Sequence, residues 1–331
     1  MLIVLPGALG DVVRGLPLLG RLRKGWPEAR IGWAVESPSA PLLERHPWLD
    51  ALHVLQRRSG AAQFIRFLGT LRDERYDLAL DLGRGIKSGA MLRASAAPRR
   101  LGFHRSDGRE GSWLAATEHL PPQGVETPKL LQFLAFAERL GLPSAPLEFG
   151  LVPSAEQTRA ADALLDGLTP PLLVASLGSS CPSRRWFPEP TAGVLDALAE
   201  SRGTTAVLTG TEADAEFAGE VVRRMRAPVR NLVGRTSLGE LLAVVARAAL
   251  VVGPDSGALH VAAAMGVPVV SLWGATSAQR STPWGQERGV VEGAASCSPC
   301  FLHDCPIGRV CMRDIRGGIV AERIETMLAV A

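Results

Sequence analysis

"VVGPDSGALHVAAAMGVPVVSLWG", residues 251–274, decides the fold. Two Val-rich runs, each of buried-strand character, flank a polar turn at Pro254-Asp255-Ser256-Gly257 and an Ala-rich helical stretch over 256–265. Strand, helix and strand in succession, with both strands apolar throughout, describe a parallel crossover in a sheet covered on both faces. Residues 256–279 contain no Asp, Glu, Lys or Arg, the composition of a membrane span. That interpretation is rejected, because Gly266-Val267-Pro268 divides the stretch and its halves differ in type.

The same alternation runs outward in both directions. Strands are expected at 2–5, 30–36, 77–83, 99–103, 172–178, 205–210, 249–253 and 267–274. Helices are expected at 11–24, 62–75, from Ile86, and at 128–141, 189–201, 213–226, 237–248 and 318–330. Ser237 followed by Glu240 is a capping-box pattern. Three prolines in "LGLPSAPLEFGLVPSAEQ" (140–157) mark a linker. Two doubly wound α/β domains follow, 1–150 and 151–331, with the closing helix a candidate to pack back on the first.

The totals agree with an ordinary globular chain. Of 331 residues, 47% are hydrophobic and 21% charged. A net charge of +3 with 5% aromatics gives no support to nucleic acid as a partner. Strand character begins at Met1 without the basic start of an export signal, so a cytoplasmic location is expected.

Ligands of open parallel sheets bind beyond the carboxyl ends of the strands. The turn Asp255-Ser256-Gly257 stands there, at a helix start whose free N–H groups and dipole favour an anion. It could equally be a simple helix cap, and His260 on its own reads as a packed surface histidine. In "ASLGSSCPSRRWFPEP" (175–190) a strand end is followed by Ser179, Ser180, Arg184 and Arg185, the hydroxyls and guanidinium groups that hold a diphosphate. In "LPGALGDVVRGLP" (5–17) the glycine spacing is not that of a dinucleotide turn, and Asp11 would repel phosphate. Asp11 suits a general base, or a cap of the first helix. Residues 84–109 hold seven bases (Arg84, Lys87, Arg93, Arg99, Arg100, Arg105, Arg109) against one acid, Asp107. They form either a solvated face or a receiver for an anionic acceptor. Finally, Cys297, Cys300, Cys305 and Cys311 fall in a C-x2-C-x4-C-x5-C pattern that four thiolates could use for structural zinc or iron, with His303 as a substitute ligand.

Together these stretches resemble glycosyltransferase family nine, the lipopolysaccharide heptosyltransferases, over nearly the whole chain. "ALGDVVRGLPLL", "DLGRGIKSG" (81–89), "GSSCPSRRWFP", "LTGTEAD" and "GPDSGALHVAAAMGVPVVSLWGATS" are similar to the family's successive signatures, the last being the most specific. "CSPCFLHDCPIGRVCM" resembles a cysteine segment of one branch. Arg184 and Arg185 stand where lysine is common.

The resemblance implies a GT-B fold, two Rossmann-like domains with a cleft between them, the first for the acceptor and the second for the nucleotide sugar. It implies metal-independent, inverting transfer of heptose from ADP-heptose to an anionic lipid A-linked core at the inner membrane surface, with no cofactor required. By position, Asp11 matches the proposed base and Ser179, Ser180 and Arg184 match diphosphate ligands. Glu212 matches a nucleoside contact and Thr236 a position near the adenine. Asp255, Ser256, Gly257 and His260 match the donor signature, and Arg84 and Lys87 fall in the acceptor-side segment. A family member using another nucleotide sugar, a GT-B-type sugar-nucleotide epimerase and a non-catalytic nucleotide-sugar-binding protein remain alternatives.

Overall fold

The Val- and Leu-rich runs beginning at Leu2 and Leu172 become buried strands of parallel sheets. A computed structural model describes residues 1–58 and 60–329, and the chain divides into two compact units, Met1–Gly150 and Leu151–Ala331. The first sheet comprises β1 (Leu2–Val4), β2 (Gly32–Glu36), β3 (Ala51–Leu55), β4 (Leu78–Asp81), β5 (Arg99–Gly102) and β6 (Glu118–His119). The second comprises β7 (Leu172–Ser176), β8 (Thr205–Thr209), β9 (Val229–Asn231), β10 (Leu250–Pro254), β11 (Val269–Trp273) and β12 (Val290–Glu292).

The strand orders are β3-β2-β1-β4-β5-β6 and β9-β8-β7-β10-β11-β12, so the two units repeat one Rossmann-like topology. Each order reverses direction between two central strands, β1 and β4 in the first sheet and β7 and β10 in the second. At such a switch point the loops diverge to opposite faces and leave a crevice at the carboxyl edge. The register there is close. Val251 of β10 stands opposite Val174 of β7 and Val269 of β11, and a Cβ at Gly253 would overlap the Ser176 carbonyl. Glycine at 253 is therefore a packing requirement.

The stretch 256–279 resolves into the helix Gly257–Ala264 and strand β11, and among the described residues no helix is long and apolar enough to cross a membrane. Periodicity missed β3, β6, β9 and β12, the four edge strands of the two sheets. There only partial burial is needed, so no continuous apolar run marks them. The linker reading ran too far: the helix Ala155–Leu164 begins inside it, started by a reciprocal Ser154/Gln157 cap. The Ser237/Glu240 box forms as expected. The closing helix Gly317–Leu328 buries Val320 and Ile324 in the core of the second unit, together with Leu195, Leu198 and Val270. Residue 330 of the helix read from the sequence lies outside the described residues.

Candidate functional site

In the second unit the switch point gathers the donor candidates. The loop after β10 carries Asp255, whose Oδ2 accepts hydrogen bonds from Arg184 Nη1 at 3.0 Å and from Thr276 Oγ1 at 2.9 Å. The Asp255 carbonyl accepts one from Ser179 Oγ at 2.9 Å. Three strand-end loops, after β7, β10 and β11, thus meet on one residue. Asp255 is 9% exposed, and a buried carboxylate needs such partners. Arg184 closes the three-residue 3₁₀ turn Pro182–Arg184, and its Nε is buried with no acceptor among the described residues. A buried donor left so costs about 1–3 kcal/mol, and an oxyanion would satisfy it.

Ser256 occupies the N-cap position of the helix Gly257–Ala264, but its side chain makes no cap bond. Its Oγ lies 3.3 Å from Ser176 Oγ instead. The helix start therefore keeps its N–H groups for an outside acceptor, and Gly257 presents no side chain in front of them. His260, one turn on, is buried at 4% exposure rather than being the surface histidine its sequence neighbourhood suggests.

Three candidates stand apart from this cluster. Ser180 is exposed, with its hydroxyl 3.9 Å from Cys181 Sγ. Glu212 is exposed in the loop after β8, and its carboxylate lies against Gly234, at φ +71°, where a Cβ would stand 2.3 Å from Glu212 Oε2. Thr236, half-buried, follows two residues after Gly234, so Glu212 and Thr236 belong to adjacent loops of the same edge. Sequence reasoning missed Asp214. Its Oδ2 accepts from Thr211 N and Oγ1 at 2.9 and 2.8 Å, and its Oδ1 lies 2.7 Å from Arg185 Nη2. A Cβ at Gly178 would stand 2.5 Å from that carboxylate. Arg185 is thereby committed to the scaffold, whereas its neighbour Arg184 faces Asp255. Thr276 and Ser176 were also missed. Their only sequence signal is a hydroxyl at or just past a strand end.

In the first unit Asp11 lies in the opening turn of the helix Leu9–Gly25, after β1. It does not cap that helix. The N-cap position is Ala8, and Asp11 Oδ1 instead accepts from Arg14 Nη1 at 2.7 Å and from Lys129 Nζ at 3.0 Å. Lys129 opens the helix Lys129–Arg139, 118 positions away in sequence. The cap alternative is thus set aside for Asp11, and Arg14 and Lys129 are new partners.

At the end of β4, Asp81 is fully buried and accepts from Gly83 N at 2.8 Å, with Ser88 and the Arg84 N–H as further partners. Burial outweighs these bonds and pushes its carboxyl up to about 6. Arg84, at φ +64°, stacks its guanidinium 3.8 Å over the Phe103 ring and donates to Gln132 Oε1, while its carbonyl accepts from Arg109 N. Lys87 is exposed and pairs with Glu36 Oε1 at 2.7 Å. The basic run is therefore partly internal: Arg99 also pairs with Glu118, and Arg100 donates to the Ala97 and Ala115 carbonyls.

The expectation of a structural metal at the cysteines finds no support. Among the described residues no group of three or more His, Cys, Asp or Glu side chains is arranged to hold a metal ion. Cys297, Cys300, Cys305 and Cys311 are free thiols of differing exposure, and a structural zinc or iron site is not supported. Cys311 is buried, its Sγ 2.8 Å from where a Cβ of Gly274 would stand, and burial raises its pKa. Cys297 is exposed, and Cys305 Sγ accepts from Arg309 N–H at 3.2 Å. His303 pairs with Asp304.

The profile of glycosyltransferase family 9 (heptosyltransferase) matches residues 64–310. The chain belongs to glycosyltransferase family 9. The lipopolysaccharide core heptosyltransferase OpsX of Haemophilus influenzae is 25% identical over 289 residues, covering 86% of this chain and 81% of its own. A family 9 glycosyltransferase from Veillonella parvula superposes with a TM-score of 0.84 at 23% identity, covering 100% of this chain and 97% of its own. The Escherichia coli ADP-heptose lipopolysaccharide heptosyltransferase II gives 0.80 at 22% identity, covering 99% and 98%. Both structures share the fold of this family 9 chain, two parallel six-stranded sheets with helices on their faces, the GT-B architecture.

Proposed function

We propose that this family 9 member is an inverting heptosyltransferase that moves heptose from ADP-heptose to a sugar hydroxyl of an anionic, lipid A-linked core on the cytoplasmic face of the inner membrane. The observation that carries the reading is the meeting of Ser179, Arg184, Thr276 and an uncapped helix start around Asp255, at the switch point of the second sheet. The known donor of the E. coli neighbour supplies the nucleotide sugar by analogy.

In this reading the second unit binds the donor. Arg184, the Ser179 and Ser180 hydroxyls and the N–H groups at Ser256–Gly257 take up the charge that develops on the diphosphate as ADP leaves, and no metal is required. Glu212 and Thr236 face the nucleoside. His260 belongs to the same donor signature, on the helix that begins at Gly257. The first unit binds the acceptor, with Lys87 and Arg84 on the anionic side. Asp11 takes the acceptor proton as its oxygen attacks the anomeric carbon. In this reading Asp11, held by Arg14 and Lys129, takes the proton late, after the sugar–phosphate bond has largely broken.

Calorimetry with ADP, UDP, GDP and their sugars tests the reading directly. Preference for ADP and ADP-heptose is expected. Preference for UDP or GDP would retain the site and assign it another sugar.

A further inference from the structure

The segment 297–311 joins two of the three loops that meet on Asp255. On one side it grips the turn that carries Arg184. Ser183, 1% exposed and adjacent to Arg184, donates its N–H to the His303 carbonyl at 3.1 Å and its Oγ to the Leu302 carbonyl at 2.6 Å. Arg309 Nη1 donates to the carbonyls of Arg185 at 3.0 Å and Trp186 at 3.3 Å, and its guanidinium lies 4.4 Å from the centre of the Phe187 ring. On the other side the segment is tied to the loop after β11. Phe301 N–H donates to the Ala275 carbonyl at 2.8 Å and Ser298 Oγ to the Gly274 carbonyl, directly before Thr276.

A three-residue 3₁₀ turn such as Pro182–Arg184 has little stability of its own, because it closes few hydrogen bonds for the dihedrals it fixes. The direction of the Arg184 side chain then depends on what holds the turn from outside. Ser183 holds its middle, and Arg309 holds the carbonyls that follow it. Arg309 is itself fixed, with its backbone in the left-handed region at φ +56° and its N–H on Cys305 Sγ.

We propose that Ser183 and Arg309 are positioning residues for the donor diphosphate. Through them the cysteine segment aims Arg184, and neither residue touches the nucleotide. The inference rests on the reading of Arg184 as a diphosphate ligand.

The test compares ADP and adenosine binding by calorimetry on the full chain, with Ser183→Ala, Arg309→Met, Arg309→Lys and Arg184→Ala. Ser183→Ala and Arg309→Met are expected to raise the Kd for ADP about tenfold while adenosine moves less than about twofold. Donor KM should rise more than kcat falls, and Arg309→Lys, which keeps one carbonyl donor, should recover part of the loss. Ser183→Ala removes a single hydroxyl and carries the test if Arg309→Met does not fold. Wild-type ADP affinity in both variants, beside a weakened Arg184→Ala, would overturn the inference. So would equal losses of ADP and adenosine. Wild-type ADP affinity in Arg184→Ala would instead overturn the donor-site reading.

Discussion

Arg184 Nη1 and Asp255 Oδ2 are 3.0 Å apart in space and 71 positions apart in sequence. The contact keeps a guanidinium at the carboxyl edge of the second sheet with its charge partly compensated. Under the proposed reading, a diphosphate bound there would compete with Asp255 for Arg184 and gain the helix start at Gly257.

Arg184→Ala should therefore weaken ADP by about ten- to a hundredfold, the scale of a hydrogen bond to a charged group. Adenosine, which lacks the phosphates, should bind nearly as before. Equal weakening of both in titration calorimetry would show that Arg184 serves the loop and not the ligand.

Asp11→Asn keeps the shape of the side chain and removes its capacity to take a proton. Turnover should fall by about 10²–10⁴, the usual range for a general base, with ADP-heptose affinity retained. A parallel loss of donor binding would remove Asp11 from the role of base.

Lys129 reaches Asp11 from a separate helix, so its part is to hold the carboxylate in place. Lys129→Met should lower kcat about tenfold, the worth of one charge-assisted bond, while donor Kd stays constant. Arg14 still holds Asp11 in this variant. Unchanged kcat would leave orientation of Asp11 to Arg14 alone.

Lys87 is the cleaner test of the acceptor side, because Arg84 is built into the fold through Phe103 and Gln132. Lys87→Ala should raise acceptor KM several-fold, consistent with loss of about 1 kcal/mol for an exposed charge, and leave donor KM alone. Unaltered acceptor kinetics would return the basic run to the status of a solvated face.

Asp81 makes stability depend on pH. Its carboxyl titrates near 6 when folded and near 3.8 when unfolded, so the folded state holds a proton between these values that the unfolded state has released. This contribution is complete below about pH 4 and disappears as pH rises through about 6, on the order of 3 kcal/mol in all. Other carboxylates act in the opposite sense, so the measurement is a comparison of urea midpoints at pH 4.5 and 7 for wild type and Asp81→Asn. The variant should gain relative to wild type on going to pH 7. Identical pH dependence of the two would contradict the buried charge.

Much of the scaffold was legible because its signals are local. The run Val251-Val252 had to be a buried strand, and Asp255-Ser256-Gly257 had to sit between strand end and helix start. Ser237 and Glu240 announced their own cap. Harder to see were β6 and β9, too short and too near the sheet edge to carry an apolar pattern. The spacing of the four cysteines was suggestive but insufficient, since spacing along a chain does not fix where four sulfurs point.

The sequence by itself determined the alternation of strand and helix, the two-domain division near residue 150, the family signatures and the chemical types at each loop. All depend on neighbours within a few positions, where the helix and strand periods of the backbone act directly. Only the tertiary structure decided which loops meet. Strand order brings β7 beside β10, and through it Arg184 to Asp255. The packing of Lys129–Arg139 on the first helix brings Lys129 to Asp11, and the hold of Arg309 on the Arg184 turn depends on the path of segment 297–311. These contacts join residues separated by many turns of chain, and no local periodicity encodes them.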